Sequence, residues 1–92
     1  MGFNGIKKKV ISNLLTGNFV HEARNDIDVK NLLSANQISI QQAVEILKKC
    51  RGNEHTQSPH HLDSSVSVNI IKSQGWYIKF YFDSDTVFIS FH

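Results

Sequence analysis

The chain has 92 residues, 40% of them apolar, and a formal net charge of +2 that permits an anionic partner without requiring one. This length predicts a single domain spanning residues 1–92 with a modest core. Cys50 is the only cysteine, which excludes a disulfide within the chain, and no apolar run approaches the ~20 residues that cross a bilayer. We expect a soluble domain that works in the cytosol.

The first part of the chain, residues 1–51, is predicted to be helical because its apolar residues recur at helical spacing. The first helix should end at Gly17, and a short second helix should begin at Asp26 or Asp28. Ser39 and Gln42 have the spacing of a capping box and predict the start of a third helix. The expected buried stripes are Ile6, Val10, Ile11, Leu14 and Leu15 in the first helix, Val29, Leu32 and Leu33 in the second, and Ile40, Ala43, Val44 and Leu47 in the third.

The second part of the chain changes from helical to alternating patterns. Residues 52–63, GNEHTQSPHHLD, have no hydrophobic period and contain the only proline, which predicts a histidine-rich loop. Residues 64–92 alternate with period two and predict a three-stranded antiparallel meander. We therefore expect an α+β fold in which N-terminal helices pack on one face of a small, twisted antiparallel sheet. The expected core positions of the strands are Val66, Val68, Ile70, Trp76, Ile78, Phe80, Phe82, Val87, Ile89 and Phe91.

The register of the meander follows from burial, because a slip of one residue moves every side chain to the other face. In the last hairpin, Phe82 must pair with Val87. The predicted cross-strand pairs are Tyr77 with His92 and Lys79 with Ser90 in that hairpin, and Asn69 with Lys79 and Ser67 with Tyr81 in the preceding one, where Ser73 to Gly75 would form a three-residue loop. The face away from the helices would then display Ser67, Asn69, Tyr77, Lys79, Tyr81, Ser90 and His92.

This face has the parts that RNA cleavage without a metal requires. Such cleavage needs a base for the 2′-hydroxyl, an acid for the leaving 5′-oxygen and cations for the phosphorane. We predict His92 as one member of the acid/base pair, Lys79 as the stabilising cation, and Tyr77 as a group that orients the phosphate or assists proton transfer. The second histidine is left open among His55, His60 and His61, and the expected substrate contacts are Ser67, Asn69, Tyr81 and Ser90.

Two other interpretations of these residues stay open. The face and the histidine loop can be solvated surface without a role. Alternatively, Cys50 and the three loop histidines can gather around zinc, although the paired spacings of structural zinc sites are absent. Our prediction therefore contains no cofactor and no metal.

The stretch WYIKFYFDSDTVFISFH resembles the C-terminal end of the MqsR-type mRNA interferases, small toxins of the RelE-like (BECR) ribonuclease group. These toxins end in a Tyr-x-Lys strand, a turn, and a strand closing on Ser-Phe-Lys. The matching units here are Tyr77-Ile78-Lys79 and Ser90-Phe91-His92. IKKKVISNLLTGNFV and ISIQQAVEILKKCRGNEHTQS resemble the family's helical segments more weakly.

The resemblance implies a RelE-like fold and carries the family's catalytic tyrosine to Tyr77 and its last catalytic lysine to His92. The family's loop lysine falls near His55 and its glutamine falls between His61 and Ser64, where no clear counterpart stands. It also implies a toxin acting on mRNA or tRNA in a bacterial cytoplasm, either free-standing or as the delivered tip of a contact-dependent inhibition toxin. An antitoxin or immunity protein would then neutralise it. The alternatives are a non-catalytic RNA-binding module and a regulatory protein-interaction domain.

Overall fold

A computed structural model describes residues 2–21 and 38–92. The elements in chain order are α1 (Phe3–Thr16), β1 (Phe19–His21), α2 (Ile40–Lys49), a 3-10 turn (Gly52–Glu54), β2 (His55–Pro59), β3 (Ser67–Ser73), β4 (Trp76–Asp83) and β5 (Thr86–Phe91). The predicted α+β class is confirmed. The predicted second helix, with its stripe at 29–33, lies outside the described residues. Neither α1 nor α2 is long and apolar enough to cross a membrane.

Local interactions explain the end of α1 and the start of α2. α1 ends because Gly17 adopts a left-handed conformation, with φ of 80°, that a residue with a Cβ adopts at a cost. α2 begins at Ser39, whose hydroxyl accepts from the Gln42 backbone N–H while the Gln42 side chain accepts from the Ser39 N–H, so the predicted capping box is confirmed. One detail of the α1 stripe is wrong, because Leu15 is 64% exposed.

The sheet has five strands in the order β1-β5-β4-β3-β2. The predicted meander forms its centre, and the register of β4 with β5 is the predicted one, with Phe82 opposite Val87. Two strands extend it. β1 pairs with β5 in parallel, so the sheet is mixed, and β2 pairs with β3. The prediction that 52–63 is a loop was therefore wrong for residues 55–59.

The predicted register between β3 and β4 was wrong by one residue. The connection is a two-residue turn, Gln74-Gly75, with φ of 57° and 80° at the two positions, and Ser73 pairs with Trp76. This is the positive-φ pattern of a type I′ hairpin turn. Asn69 consequently lies opposite Phe80 instead of Lys79.

The slip exchanges the two faces of β3. Asn69 and Ser67 lie on the face covered by the helices, whereas Val68 and Ile70, which we expected in the core, lie on the other face. Ser67 and Asn69 are therefore removed from the surface that was predicted to contact substrate. Val68 is nevertheless buried, outside the main core cluster.

The core lies between the two helices and one face of the sheet. Its buried members are Ile6, Val10, Leu14, Ile38, Ala43, Val44, Leu47, Cys50, Ile71, Ile78, Phe80, Val87, Ile89 and Phe91. A buried asparagine at the end of α1 adds a polar link to this packing. The Asn13 Nδ2 donates to the backbone oxygens of Asn18 at 3.1 Å and Asp85 at 2.7 Å. It thereby holds the helix end against the turn between β4 and β5.

Two adjacent leucines of α1 provide a test of this packing. Leu14 is 2% exposed and Leu15 is 64% exposed. We expect Leu14→Ala to lower the free energy of unfolding by about 2–5 kcal/mol, because it removes buried methyl groups and leaves a cavity. Leu15→Ala, the matched control, should change it by less than about 0.5 kcal/mol. Urea unfolding measures both, and equal losses for the two variants would contradict the orientation of α1.

Candidate active site

A row of three side chains crosses the sheet face opposite the helices, and we call it the Tyr77 row: Lys72, Tyr77 and His92. Tyr77 and His92 exchange both backbone hydrogen bonds, each with an N–H to O distance of 2.9 Å. Their side chains therefore leave the sheet side by side, and their ring centroids are 6.3 Å apart. Lys72 pairs with Tyr77 from the other side, with its Nζ 5.9 Å from the tyrosine ring centroid. The predicted pairing of Tyr77 with His92 is confirmed.

The next row along the sheet contains the predicted cation. Lys79 lies opposite Ser90, as predicted, and points to the same face as Tyr77, two positions earlier in β4. It is a diagonal neighbour of His92, at the roughly 7–8 Å typical of such positions. Ser90 is fully buried, and its Oγ has no hydrogen-bond partner among the described residues. A fully buried hydroxyl is out of reach of RNA, so Ser90 does not fit its predicted role as a substrate contact.

The imidazole of His92 is only partly accessible. The residue is half-buried, and its Nε2 atom is shielded from solvent. Beside the Tyr77 row, at the hairpin between β3 and β4, lies a groove of about 410 Å³. Lys72, Tyr77 and Glu54 are among the residues that line it. The groove gives a ligand direct access to two members of the row.

Four rings form a second feature at the far end of the same face, which we call the aromatic row: Phe88, Tyr81, His60 and His61. Tyr81 stacks on Phe88 with centroids 5.1 Å apart and planes 2° from parallel. His60 and Tyr81 make an edge-to-face contact with centroids 4.8 Å apart, and His61 stacks on His60 at 4.8 Å with an interplanar angle of 13°. The Leu62 N–H donates to Nδ1 of His60 at 3.1 Å and fixes that ring.

The third histidine of the predicted loop lies on the opposite side of the sheet. His55 is paired with Ile71, a core residue, and its ring is 5.1 Å from that of Phe3 in α1. Its Nε2 lies 2.8 Å from Oδ1 of Asn69, which also accepts from the Gln57 side chain at 2.9 Å. His55 and Asn69 thus belong to a polar cluster on the helix-covered face, and they do not fit the roles predicted for them.

The structure does not bring any loop histidine to His92. Tyr77 and Tyr81 are four positions apart on β4, which corresponds to about 13 Å at ~3.3 Å per residue. His60 and His61 lie beside Tyr81, whereas His92 lies beside Tyr77. A single phosphate therefore cannot contact His92 together with His60 or His61. His55 lies on the other face of the sheet. The side chains gathered on one face near His92 are Tyr77, Lys79 and Lys72.

Cys50 and the histidines do not form a metal site. In the ranges 2–21 and 38–92, no group of three or more His, Cys, Asp or Glu side chains has the geometry to hold a metal ion. Cys50 is buried and its Sγ donates to the Ile46 carbonyl at 3.2 Å. Burial raises the pKa of its thiol, against a smaller opposing effect of a hydrogen bond with Ser73. A buried, protonated thiol is a poor ligand and a poor nucleophile.

Two residues of this face were missed by the sequence reasoning. Lys72 pairs with Tyr77 only because the turn has two residues. The predicted three-residue loop placed it opposite Trp76 instead. Phe88 was visible, because the alternation of β5 already puts it with Ser90 and His92. Its partner Tyr81 lies directly opposite in the confirmed register. That register was sufficient to predict the stack.

Comparison with known proteins found no match: no protein-family model matches the chain, and no curated protein or solved structure is detectably similar to it.

The backbone pairing of His92 predicts that removing the residue and truncating its side chain have different effects. A chain ending at Phe91 loses both hydrogen bonds to Tyr77, and we expect it to be about 1–3 kcal/mol less stable than the parent. His92→Ala keeps both backbone hydrogen bonds, so its free energy of unfolding should fall by less. Urea unfolding of the two variants measures the difference. If deletion costs no more than His92→Ala, the terminal pairing is not formed in solution.

Proposed function

We propose that this protein is a metal-independent endoribonuclease whose reaction takes place at the Tyr77 row. The observation that carries the proposal is the paired geometry of Tyr77 and His92, which holds two proton-transfer groups side by side, with Lys72 opposite Tyr77 on β3 and Lys79 in the neighbouring row. Histidine and tyrosine are both established general acids and bases, and lysines neutralise phosphate charge. The geometry revises the predicted pair, because Tyr77 takes the role that was assigned to a loop histidine.

The reaction proceeds by attack of a ribose 2′-oxygen on the adjacent phosphorus. Neutral His92 accepts the proton of the 2′-hydroxyl as the new O–P bond forms. The bond from phosphorus to the 5′-oxygen breaks, and the Tyr77 hydroxyl donates its proton to that oxygen. The products are a 2′,3′-cyclic phosphate and a 5′-hydroxyl, and solvent returns the proton from imidazolium to phenolate. No redox or metal step is required for the atoms to balance.

The two lysines supply the charge that the pentacoordinate phosphate needs. Lys72 is exposed and lies opposite Tyr77 on β3, and Lys79 is in the neighbouring row. Cations placed in advance around a developing negative charge stabilise it without reorganising in the reaction. Because Nε2 of His92 is shielded in the free protein, we expect RNA binding to turn or uncover the imidazole. Catalytic contacts commonly tighten only when the substrate is bound.

The resemblance to the MqsR-type and RelE-like toxins supports placing the chemistry at Tyr77 and His92, and it also suggests a biological role. We propose that the protein is a toxin acting on mRNA or tRNA in the bacterial cytoplasm. A cognate antitoxin or immunity protein would hold it inactive by covering the Tyr77 row. An acidic surface on that partner would complement Lys72 and Lys79.

Cleavage of single-stranded RNA in excess EDTA tests the chemistry. We expect wild-type protein to cut RNA and leave cyclic phosphate ends. His92→Ala and Tyr77→Phe should each slow cleavage by about 10²–10⁴-fold, because each removes one proton transfer. Lys72→Ala should slow it by up to about 10²-fold through lost charge stabilisation. Lys49→Ala, which removes an exposed lysine from the end of α2, is the matched charge control.

The outcomes separate the competing interpretations. RNA in which the attacking 2′-hydroxyl is replaced by hydrogen must resist cleavage. Loss of activity in EDTA would point to a metal-dependent nuclease. Unchanged cleavage by His92→Ala and Tyr77→Phe would overturn the proposed pair. A protein that binds RNA tightly and never cuts it would be the RNA-binding module instead, for which the aromatic row provides a stacking surface.

Growth of a bacterial host tests the toxin proposal separately. Induced expression of the wild-type chain should arrest growth and deplete intact RNA, whereas His92→Ala expressed to the same level should not. Harmless expression of a wild-type protein that is active on RNA in vitro would refute the toxin proposal and leave the nuclease in place. Growth arrest by His92→Ala as well would point to a different toxic mechanism.

A further inference from the structure

We propose that the aromatic row and the cavity beside it form a binding subsite for an unstacked nucleobase of single-stranded RNA, separate from the Tyr77 row. That the ligand is RNA rests on the proposed function. The subsite would be a second RNA-binding region on the same face of the sheet. The cavity, of about 220 Å³, is lined by His60, Leu62, Asp63, Val66, Tyr81 and Asp83.

The rings of the aromatic row are arranged so that one of them is left for a ligand. Phe88 and Tyr81 cover each other, and His60 is held between the edge of Tyr81 and the ring of His61. His61 is the exposed end of the series, so its outer face is available for a further ring. A purine or pyrimidine stacked there would continue the series. Stacking of this kind binds single-stranded nucleic acid because every base has a π-face.

The neighbouring loop adds an apolar contact to this stacking position. Leu62, at the start of this loop segment, is 82% exposed and also lines the cavity. Its backbone N–H donates to Nδ1 of His60, so the backbone at Leu62 lies beside the His60 ring. Because Leu62 lines the cavity, a base that reaches into it would cover part of the leucine and remove apolar surface from water.

The polar groups of the cavity favour the edge of a base over a phosphate. Oδ1 of Asp63 accepts from the Ser65 N–H at 3.0 Å and from its hydroxyl at 2.6 Å. The hydroxyl bond is the main reason that the pKa of Asp63 is lowered, so this carboxylate is ionised at neutral pH. Asp83 adds a second carboxylate at the surface. Carboxylates repel phosphate and accept hydrogen bonds, and guanine offers two adjacent donors, N1–H and the N2 amino group.

The subsite and the Tyr77 row thus differ in the charge of their side chains. Near His92 the face carries Lys72 and Lys79, which suit the backbone phosphate, while one carboxylate, Glu54, lines the adjacent groove. About 13 Å along β4 the charged side chains are carboxylates beside rings, which suit a base. A single strand crossing the face would place its scissile phosphate at one end and a neighbouring base at the other. The fixed backbone of a duplex keeps its bases stacked inside, so single-stranded RNA is the substrate class that fits.

Binding of RNA that cannot be cleaved tests the subsite independently of catalysis. The probes are a short fluorescent 2′-O-methyl oligouridylate and the same oligomer with one internal guanosine. We expect His61→Ala to weaken binding by about 5- to 150-fold, the effect of losing one stacked base. His61→Phe, which keeps a ring and removes the imidazole nitrogens, should retain most of the affinity. Asp83→Asn should reduce the advantage of the guanosine probe over oligouridylate.

Each outcome decides the question. Equal dissociation constants for wild type and His61→Ala would overturn the subsite, even in a protein that cleaves RNA. Equal weakening by His61→Phe and His61→Ala would show that charge or hydrogen bonding, not stacking, is involved, and would also overturn it. A wild-type protein that binds the guanosine probe as predicted but cuts no RNA would keep the subsite and refute the nuclease. Absence of any RNA binding would refute both.

Discussion

The candidate site depends on the burial of one strand. β5 lies inside the sheet, between β4 and the parallel strand β1, and its Val87, Ile89 and Phe91 are fully buried against the helices. Successive side chains of a strand point to opposite faces, so burying these three residues fixes Phe88, Ser90 and His92 on the other face. The buried Phe91 side chain anchors the strand one residue before His92. The two backbone hydrogen bonds to Tyr77 fix His92 itself. The position of the histidine is thus a consequence of core packing.

The sequence was sufficient to predict this part of the fold because two independent constraints agree. In β4 and β5 the apolar alternation is strict and the turn between them is short, so only one register buries both sets of core residues. The same reasoning predicted α1 and the capping box of α2. In β3 the alternation was misleading. Val68 and Ile70 look like core positions, yet the face they occupy is set by the Gln74-Gly75 turn, and Gln-Gly is not among the dipeptides that commonly signal a two-residue hairpin.

The strand that sequence reasoning missed explains why Asn69 is tolerated under the helices. β2 is an edge strand without a hydrophobic pattern, and it ends at Pro59, a residue that sheets accept at their edges. Its His55 and Gln57 both reach Oδ1 of Asn69, so the buried amide oxygen is satisfied by side chains from the neighbouring strand. Without β2, Asn69 in the interior would be costly, and the predicted register, which exposed it, was the reasonable choice.

The division of the histidines between the two faces decides which chemistry the site can support. β2 directs His55 towards α1, while the chain after Pro59 brings His60 and His61 to Tyr81, far from His92. Among the histidines whose side chains the structure describes, only His92 therefore lies at the lysine-bearing end of the face, and Tyr77, paired with it, can transfer a second proton. The same two-residue turn that hides Asn69 places Lys72 beside that tyrosine. The slip of one residue in β3 thus removes Ser67 and Asn69 from this face and adds Lys72 to it, as a second cation for the proposed reaction.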